Sequence, residues 1–261
     1  MAVDPSPLAL NAEKISSAIS NYWRVSITPE TTSTQNDLSH LARNGRVRSG
    51  DICVTEFQSA GRGRLDRTFV APEKSALLFS IFLEPKRGSN HWGLLSLLAS
   101  VAVHGAIAEV GGISHATIKW PNDLLINEKK CAGLLSEVVA TDKGLGVIIG
   151  IGINVDMNND QLPIPTATSL GLESTKIIDR NLLLSEILNH FEARFLAWES
   201  GADQEILREY LPLSSTIGRD IEVTMADGQV IQANAQGLTT SGQLVLASGQ
   251  IISVGDVRHL R

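Results

Sequence analysis

Three arginines, Arg62, Arg64 and Arg67, fall within six positions of "EFQSAGRGRLDRTF" (56–69), with Gly61 and Gly63 among them. Guanidinium forks match phosphate and carboxylate oxygens, and glycine lets backbone N–H groups approach a ligand closely, so the pattern suits capture of an anion. A solvated turn accounts for the same residues. The spacing is not a Walker loop, because no Lys-Ser or Lys-Thr follows a second glycine after four residues, and the third glycine of a dinucleotide fingerprint is missing. In "IKWPNDLLIN" (118–127), Lys119 stands near the end of an apolar run, with Trp120 and Pro121 restricting the chain behind it. A lysine so placed takes an anionic partner, or packs its stem and lifts its head into water. Asn122 and Asp123 suit the turn that follows. In "GIGINV" (150–155), Gly150 and Gly152 share one face of a strand, which leaves room for a thin ligand, a bulge or close packing. Gly133 in "KCAGLLSEV" (130–138) repeats the theme.

The elements that must position these residues can be read from period and punctuation. A short helix is expected over 11–24. A second helix follows over 31–45, with Ser33 or Thr34 as N-cap and Gly45 as its stop. Residues 50–58 and 75–85 read as strands, and 92–110 as a helix ended by Gly111-Gly112. Over 116–155, short Ile/Val/Leu-rich runs separated by "PND", "NEKK" and "TDKG" predict an antiparallel meander covered by helices. An amphipathic helix capped by Asp179 spans 179–201, and "DQEILREYL" adds a short one. From Thr216, the turns "ADGQ", "TSGQ" and "SGQ" signal hairpins of a small barrel of about five strands. The fold class is therefore α+β, a mixed, largely antiparallel sheet covered by helices plus a small C-terminal β-barrel. The domain boundary is set between residues 213 and 214.

Composition narrows the function. The 261 residues carry a formal net charge of −6 and are 43% hydrophobic, enough for a substantial core and opposed to sequence-independent nucleic-acid binding. Cys53 and Cys131 sit in apolar runs and read as two buried thiols rather than a disulfide or a zinc site. The start, "MAVDPSPLALNAEK", lacks a basic beginning and a long apolar run, so it does not read as a signal peptide. The apolar stretch 92–110 contains Ser96, Ser100, His104 and Glu109, and suits a buried helix better than a membrane span. His104 and His190 read as helix residues. A cytoplasmic protein without a membrane partner is expected.

Taken in order, "GRGRLDR", "KWPNDLLIN", "KCAGLLSEV" and "GIGINV" resemble the biotin–protein ligases, and the resemblance runs from about Ser33 through the C-terminal strands. It implies activation of biotin by ATP to biotinyl-5′-AMP, with Mg²⁺ on the ATP phosphates, and transfer of biotin to one lysine of a biotin carboxyl carrier protein. It implies biotin contacts at Ser33, Thr34, Gln35, Gln58, Arg62, Gly63, Arg64, Lys119, Gly133, Gly150 and Gly152. Adenylate contacts fall on Arg64, Arg67, Phe69, Lys119, Asn122 and Asn154. It implies that Lys119 and Arg64 are the catalytic pair and that Gly61–Arg67 is a lid, flexible until it closes over the adenylate. Asp66, Phe69 and Gln35 depart from the glycine, tryptophan and asparagine common in that family. About 30 residues precede Ser33, too few for the DNA-binding domain some members carry, so a ligase without repressor activity, monomeric or homodimeric, is expected. A lipoate or octanoate ligase or transferase of the same fold is the alternative within enzymes. A non-catalytic biotin sensor is the alternative outside them.

Overall fold

A computed structural model describes residues 9–64, 67–225 and 227–260. Expectations that rest on residues 1–8 and on Asp66 lie outside the described residues. The chain runs through α1 (Ala12–Ser16), β1 (Arg24–Thr31), α2 (Thr34–Arg43), β2 (Asp51–Gln58), β3 (Ala76–Leu83) and the long α3 (Gly93–Gly111). Four strands follow, β4 (Thr117–Lys119), β5 (Asp123–Ile126), β6 (Lys129–Thr141) and β7 (Gly144–Asn154). Then come helices α4 (Leu170–Glu173), α5 (Arg180–Glu199) and α6 (Asp203–Tyr210). The chain ends in β8 (Asp220–Thr224), β9 (Val230–Leu238), β10 (Leu244–Leu246), β11 (Ile251–Ile252) and β12 (Asp256–His259).

The first seven strands make one sheet in the order β1-β2-β3-β7-β6-β5-β4. Only β1 and β2 pair in parallel, joined through α2; the remaining neighbours are antiparallel. Strands β4 to β7 are the expected meander. Strand β1 was not anticipated, and the helix expected over 11–24 is confined to Ala12–Ser16. The reason is physical: β1 is an edge strand whose Arg24, Ser26 and Thr28 are exposed, and it contains Pro29, so it lacks the apolar run that marks its buried neighbours.

Alternation along the central strands decides what each sheet face meets. On β3 and β7, Leu77, Phe79, Ile81 and Leu83, with Val147, Ile149, Ile151 and Ile153, point into the main core beside α3 and α5. The intervening residues face the other way. Phe82 and Ile148 pack under α2, while Ser80, Gly150, Gly152 and Asn154 line a cavity beside it. Helix α3 is apolar on all sides because it is sandwiched; 67% of its most apolar window is buried. Cys131 is buried as expected, but Cys53 is only half-buried; the Ser26 hydroxyl lies 3.6 Å from its sulfur, and both are free thiols.

The C-terminal strands form a separate antiparallel sheet in the order β11-β10-β9-β8-β12. The turns at Gly228 and Gly242 have φ of 87° and 83°, as the hairpin signals required. Ile221, Val223, Leu244 and Leu246 share the main core cluster with α3. Trp120 binds the two parts together: its backbone N–H donates to Thr216 Oγ1 and its indole N–H to Gly242 O, each at 3.0 Å. The chain between β4 and β5 is therefore held where Lys119 and Asn122 flank it.

Candidate active site

The glycine strand forms the floor of a cavity of about 1290 Å³, and every site residue expected from the sequence lines it. Register places Ser80 of β3 opposite Gly150, and Gly133 of β6 opposite Gly152. The protein itself takes up the space the glycines leave. A Cβ on Gly150 would stand 2.6 Å from Gln35 Oε1, one on Gly152 2.9 Å from the Phe69 ring, and one on Gly133 2.9 Å from Lys130 Nζ. Among the alternatives left open by the sequence, close packing is what the structure contains.

One end of the cavity is a polar wall built around the start of α2. Ser33 is the N-cap residue, but its side chain makes no capping bond. Instead Gln58, at the end of β2, accepts from the Thr34 N–H (2.9 Å) and from Thr34 Oγ1 (3.2 Å). Thr34 Oγ1 also meets Ser80 Oγ at 2.8 Å. Gln35 donates to Glu137 Oε2 at 3.0 Å and to Ile148 O at 3.3 Å, while its Oε1 accepts from Ser80 Oγ at 3.3 Å. At the other end, Asn154 donates to Thr168 O at 2.9 Å, and its buried Oδ1 has no partner among the described residues.

The arginine segment is a narrow hairpin. Gly63 N–H donates to Arg67 O (2.7 Å), Phe69 N–H donates to Gly61 O (3.0 Å), and Arg62 bridges Thr68. Gly61 is needed for close approach rather than for bending, since a Cβ there would fall 2.3 Å from Phe69 O. Each arginine has different partners. Arg62 forks onto Glu137 (2.9 and 2.7 Å) and touches Asn36 Oδ1 at 3.2 Å. Arg67 forks onto Asp256 of β12 (3.3 and 2.5 Å). Among the described residues Arg64 donates to neutral acceptors, Asn122 Oδ1 at 3.1 Å and Gly255 O at 3.3 Å; burial lowers its pKa, partly offset by Asp123 and Asp256. The Lys119 O accepts from the Asn122 N–H at 3.1 Å, while its side chain has no hydrogen bond or ion pair among the described residues.

Sequence reasoning missed several cavity residues. Lys130, in a motif read only for its glycine, reaches Asp123 Oδ1 at 2.6 Å as an ion pair without hydrogen-bond alignment. Glu137, unassigned in the same motif, is not itself in the cavity lining but accepts from Gln35 and Arg62, which are. Asp256 and His259 come from the C-terminal sheet and Arg219 from the residue just before it, and nothing local marks them. Burial, then the charges of Lys119 and Arg219, push the His259 pKa down to about 4, so its ring is neutral near pH 7. Among the described residues, the one group of three side chains with metal-ligand spacing, Glu109, Glu186 and His190, lies outside the cavity lining.

A sequence profile of the Biotin/lipoate A/B protein ligase family matches residues 27–154, which contain the hairpin, the glycine strand and Lys119. A biotin–[acetyl-CoA-carboxylase] ligase of Mycobacterium tuberculosis is 33% identical over 249 residues, covering 92% of this chain and 90% of that protein. The chain belongs to the biotin/lipoate A/B protein ligase family. A bifunctional ligase/repressor BirA of Bacillus spizizenii is 36% identical over 219 residues, covering 82% of this chain and 66% of that protein. A solved structure of the biotin protein ligase from Aquifex aeolicus in complex with biotin and ATP superposes with a TM-score of 0.78 at 27% identity, covering 91% of this chain and 99% of that one. The α+β fold is therefore that of this ligase family.

Proposed function

We propose that this protein activates biotin with ATP to biotinyl-5′-AMP and passes the biotinyl group to a lysine of a biotin carboxyl carrier protein. One observation carries the assignment of roles. Of the lysines and arginines that line the cavity, Arg62, Arg67, Lys130, Arg219 and Arg258 each pair with a carboxylate, whereas Lys119 and Arg64 have none in contact among the described residues. Two cations without a carboxylate in contact suit a site that must bring a carboxylate against a phosphate.

The chemistry follows from that arrangement. The Ser33–Thr34–Gln58 wall offers hydroxyls and an amide to a ureido head, and the glycine floor supports the chain leading to the carboxylate. Lys119 and Arg64 draw the carboxylate and the α-phosphate together. A carboxylate oxygen bonds to the α-phosphorus, the bond from phosphorus to the bridging oxygen breaks, and pyrophosphate leaves. The carrier lysine amine then attacks the acyl carbon and AMP departs. Asn154 Oδ1, an acceptor without a donor among the described residues, suits the exocyclic amine of adenine, and Phe69 offers a ring for its face. Among the described residues the cavity lining carries the carboxylates Asp123, Glu128 and Asp256 but no three-ligand group, which fits Mg²⁺ carried on ATP phosphate oxygens. That ion would neutralise charge on the leaving pyrophosphate. The free thiols support a cytoplasmic setting, the acidic balance supports a role without nucleic acid, and a domain boundary at 213/214 fits the start of the second sheet.

The test is ATP–pyrophosphate exchange by the purified protein with biotin, lipoate, octanoate or no acid. Exchange dependent on biotin alone supports the reading; exchange with lipoate or octanoate instead overturns the substrate. Folded protein that binds biotin without any exchange is a sensor. Lys119→Gln is expected to fold normally and lose most of the exchange.

A further inference from the structure

Three side chains on three elements meet at one carboxylate. Glu137, on β6, accepts two bonds from the Arg62 guanidinium through both of its oxygens and a third from the Gln35 amide of α2. Gln35 is in turn fixed by Ser80 and by Ile148 O, and it is 3% exposed, so its amide has no water to exchange for these partners. Arg62 is the first arginine of the hairpin, and its backbone bridges Thr68, the residue next to Phe69. The carboxylate therefore links the polar wall of the cavity to the hairpin that lies over it. The mirror arrangement holds on the far side, where Arg67 is tied to Asp256.

We infer that Gln35, Glu137 and Arg62 act as a strut: Glu137 is a positioning residue that sets the hairpin's backbone against the polar wall, and the Arg62 guanidinium serves this strut rather than the ligand's anionic groups. A bidentate fork on a carboxylate fixes both distance and plane, which a single contact does not, and Arg62's fork is already used. Gln35 fits this role by reach, since a side chain one methylene shorter would fall about 1.5 Å short of Glu137, beyond hydrogen-bond distance. The inference rests on the ligase reading and deepens it, because it assigns biotin binding, but not ATP binding, to the Glu137 carboxylate.

The experiment is a double-mutant cycle with Glu137→Gln, Arg62→Ala and the pair of them, in the full-length protein. KM for biotin and KM for ATP are read from pyrophosphate exchange, with thermal midpoints alongside. Each single substitution is expected to raise the biotin KM about tenfold and leave the ATP KM within about twofold. The pair is expected to raise the biotin KM about tenfold as well, not a hundredfold, because both changes remove the same strut. A hundredfold rise in the pair would mean that Arg62 contacts the ligand on its own account, and would overturn the inference. So would an unmoved biotin KM, or equal changes in both KM values together with a lowered midpoint, which mark a merely structural role. Wild-type protein without biotin-dependent exchange would remove the ligase reading and this inference with it; active wild type with unmoved variants removes this inference alone.

Discussion

Gly150→Ala tests why the floor strand carries glycine. The new methyl would stand 2.6 Å from Gln35 Oε1 and 3.4 Å from Ser80 Oγ. To reach ordinary van der Waals separation the Gln35 amide must retreat by about 0.8 Å. Its bonds to Glu137 and Ile148 O, at 3.0 and 3.3 Å, then stretch beyond useful length. A buried amide left without partners costs roughly 1–3 kcal/mol, so about 2 kcal/mol of stability is expected to be lost. For a chain of this size that lowers the melting midpoint by about 4–8 °C. The assay is thermal denaturation with the biotin KM measured beside it, and a second variant, Gln35→Ala with Gly150→Ala, serves as the control. Because Gln35→Ala removes the group with which the methyl collides, the double variant should lose less stability than the two singles summed. A raised biotin KM with an unchanged midpoint would refute the reasoning, for then the glycine makes room for the ligand and not for Gln35.

Arg64→Ala should release biotinyl-AMP faster, by about tenfold or more, in a rapid-filtration assay, since it removes a cation that donates to the neutral acceptors Asn122 Oδ1 and Gly255 O; unchanged release would mean that this arginine is no clamp. Stability should fall as pH drops from about 6.5 towards 4, because the unfolded His259 binds a proton that the folded one, with its pKa near 4, does not. Above that window its contribution is level. His104 shifts the same way, so His259→Gln should flatten the acid limb of a melting-temperature profile only in part; an unaltered limb would remove His259 from the account. Cys131 is fully buried and its pKa is pushed up to about 12, so in native protein at pH 8 only Cys53 should react with an aromatic disulfide, at less than one further thiol equivalent per chain until denaturant is added.

What could be read from the sequence was what is local. The uninterrupted apolar run of β3, the two-residue turn at Asn127-Glu128 and the C-terminal hairpin turns all follow from period and punctuation within a few residues. Strand β1 escaped because an edge strand with a polar outer row and Pro29 has no such pattern. The site divided along the same line. Its residue types were legible as motifs, and all of them meet in one cavity. Their partners were not: Glu137 is 75 residues from Arg62, and Asp256 is 189 residues from Arg67. Lys130 sat in plain view but beside Lys129 in "NEKK", where two lysines read as a solvated turn.

Those partners change what the arginine cluster means. Counted as sequence, the hairpin brings three positive charges to one loop; counted as structure, Glu137 and Asp256 cancel two of them within hydrogen-bonding distance. Lys130, Arg219 and Arg258 are cancelled in the same way by Asp123, Glu128 and Glu222. Among the described residues, what remains without a contacting carboxylate is Arg64 and Lys119, from a hairpin and from a strand end far apart in sequence. A cavity with every cation exposed to the ligand would hold any polyanion and release it slowly. One that neutralises most of its cations against its own carboxylates keeps their side chains as fixed geometry and leaves field only where two anions must be brought together. An acidic protein can therefore hold a basic loop without becoming a general anion binder.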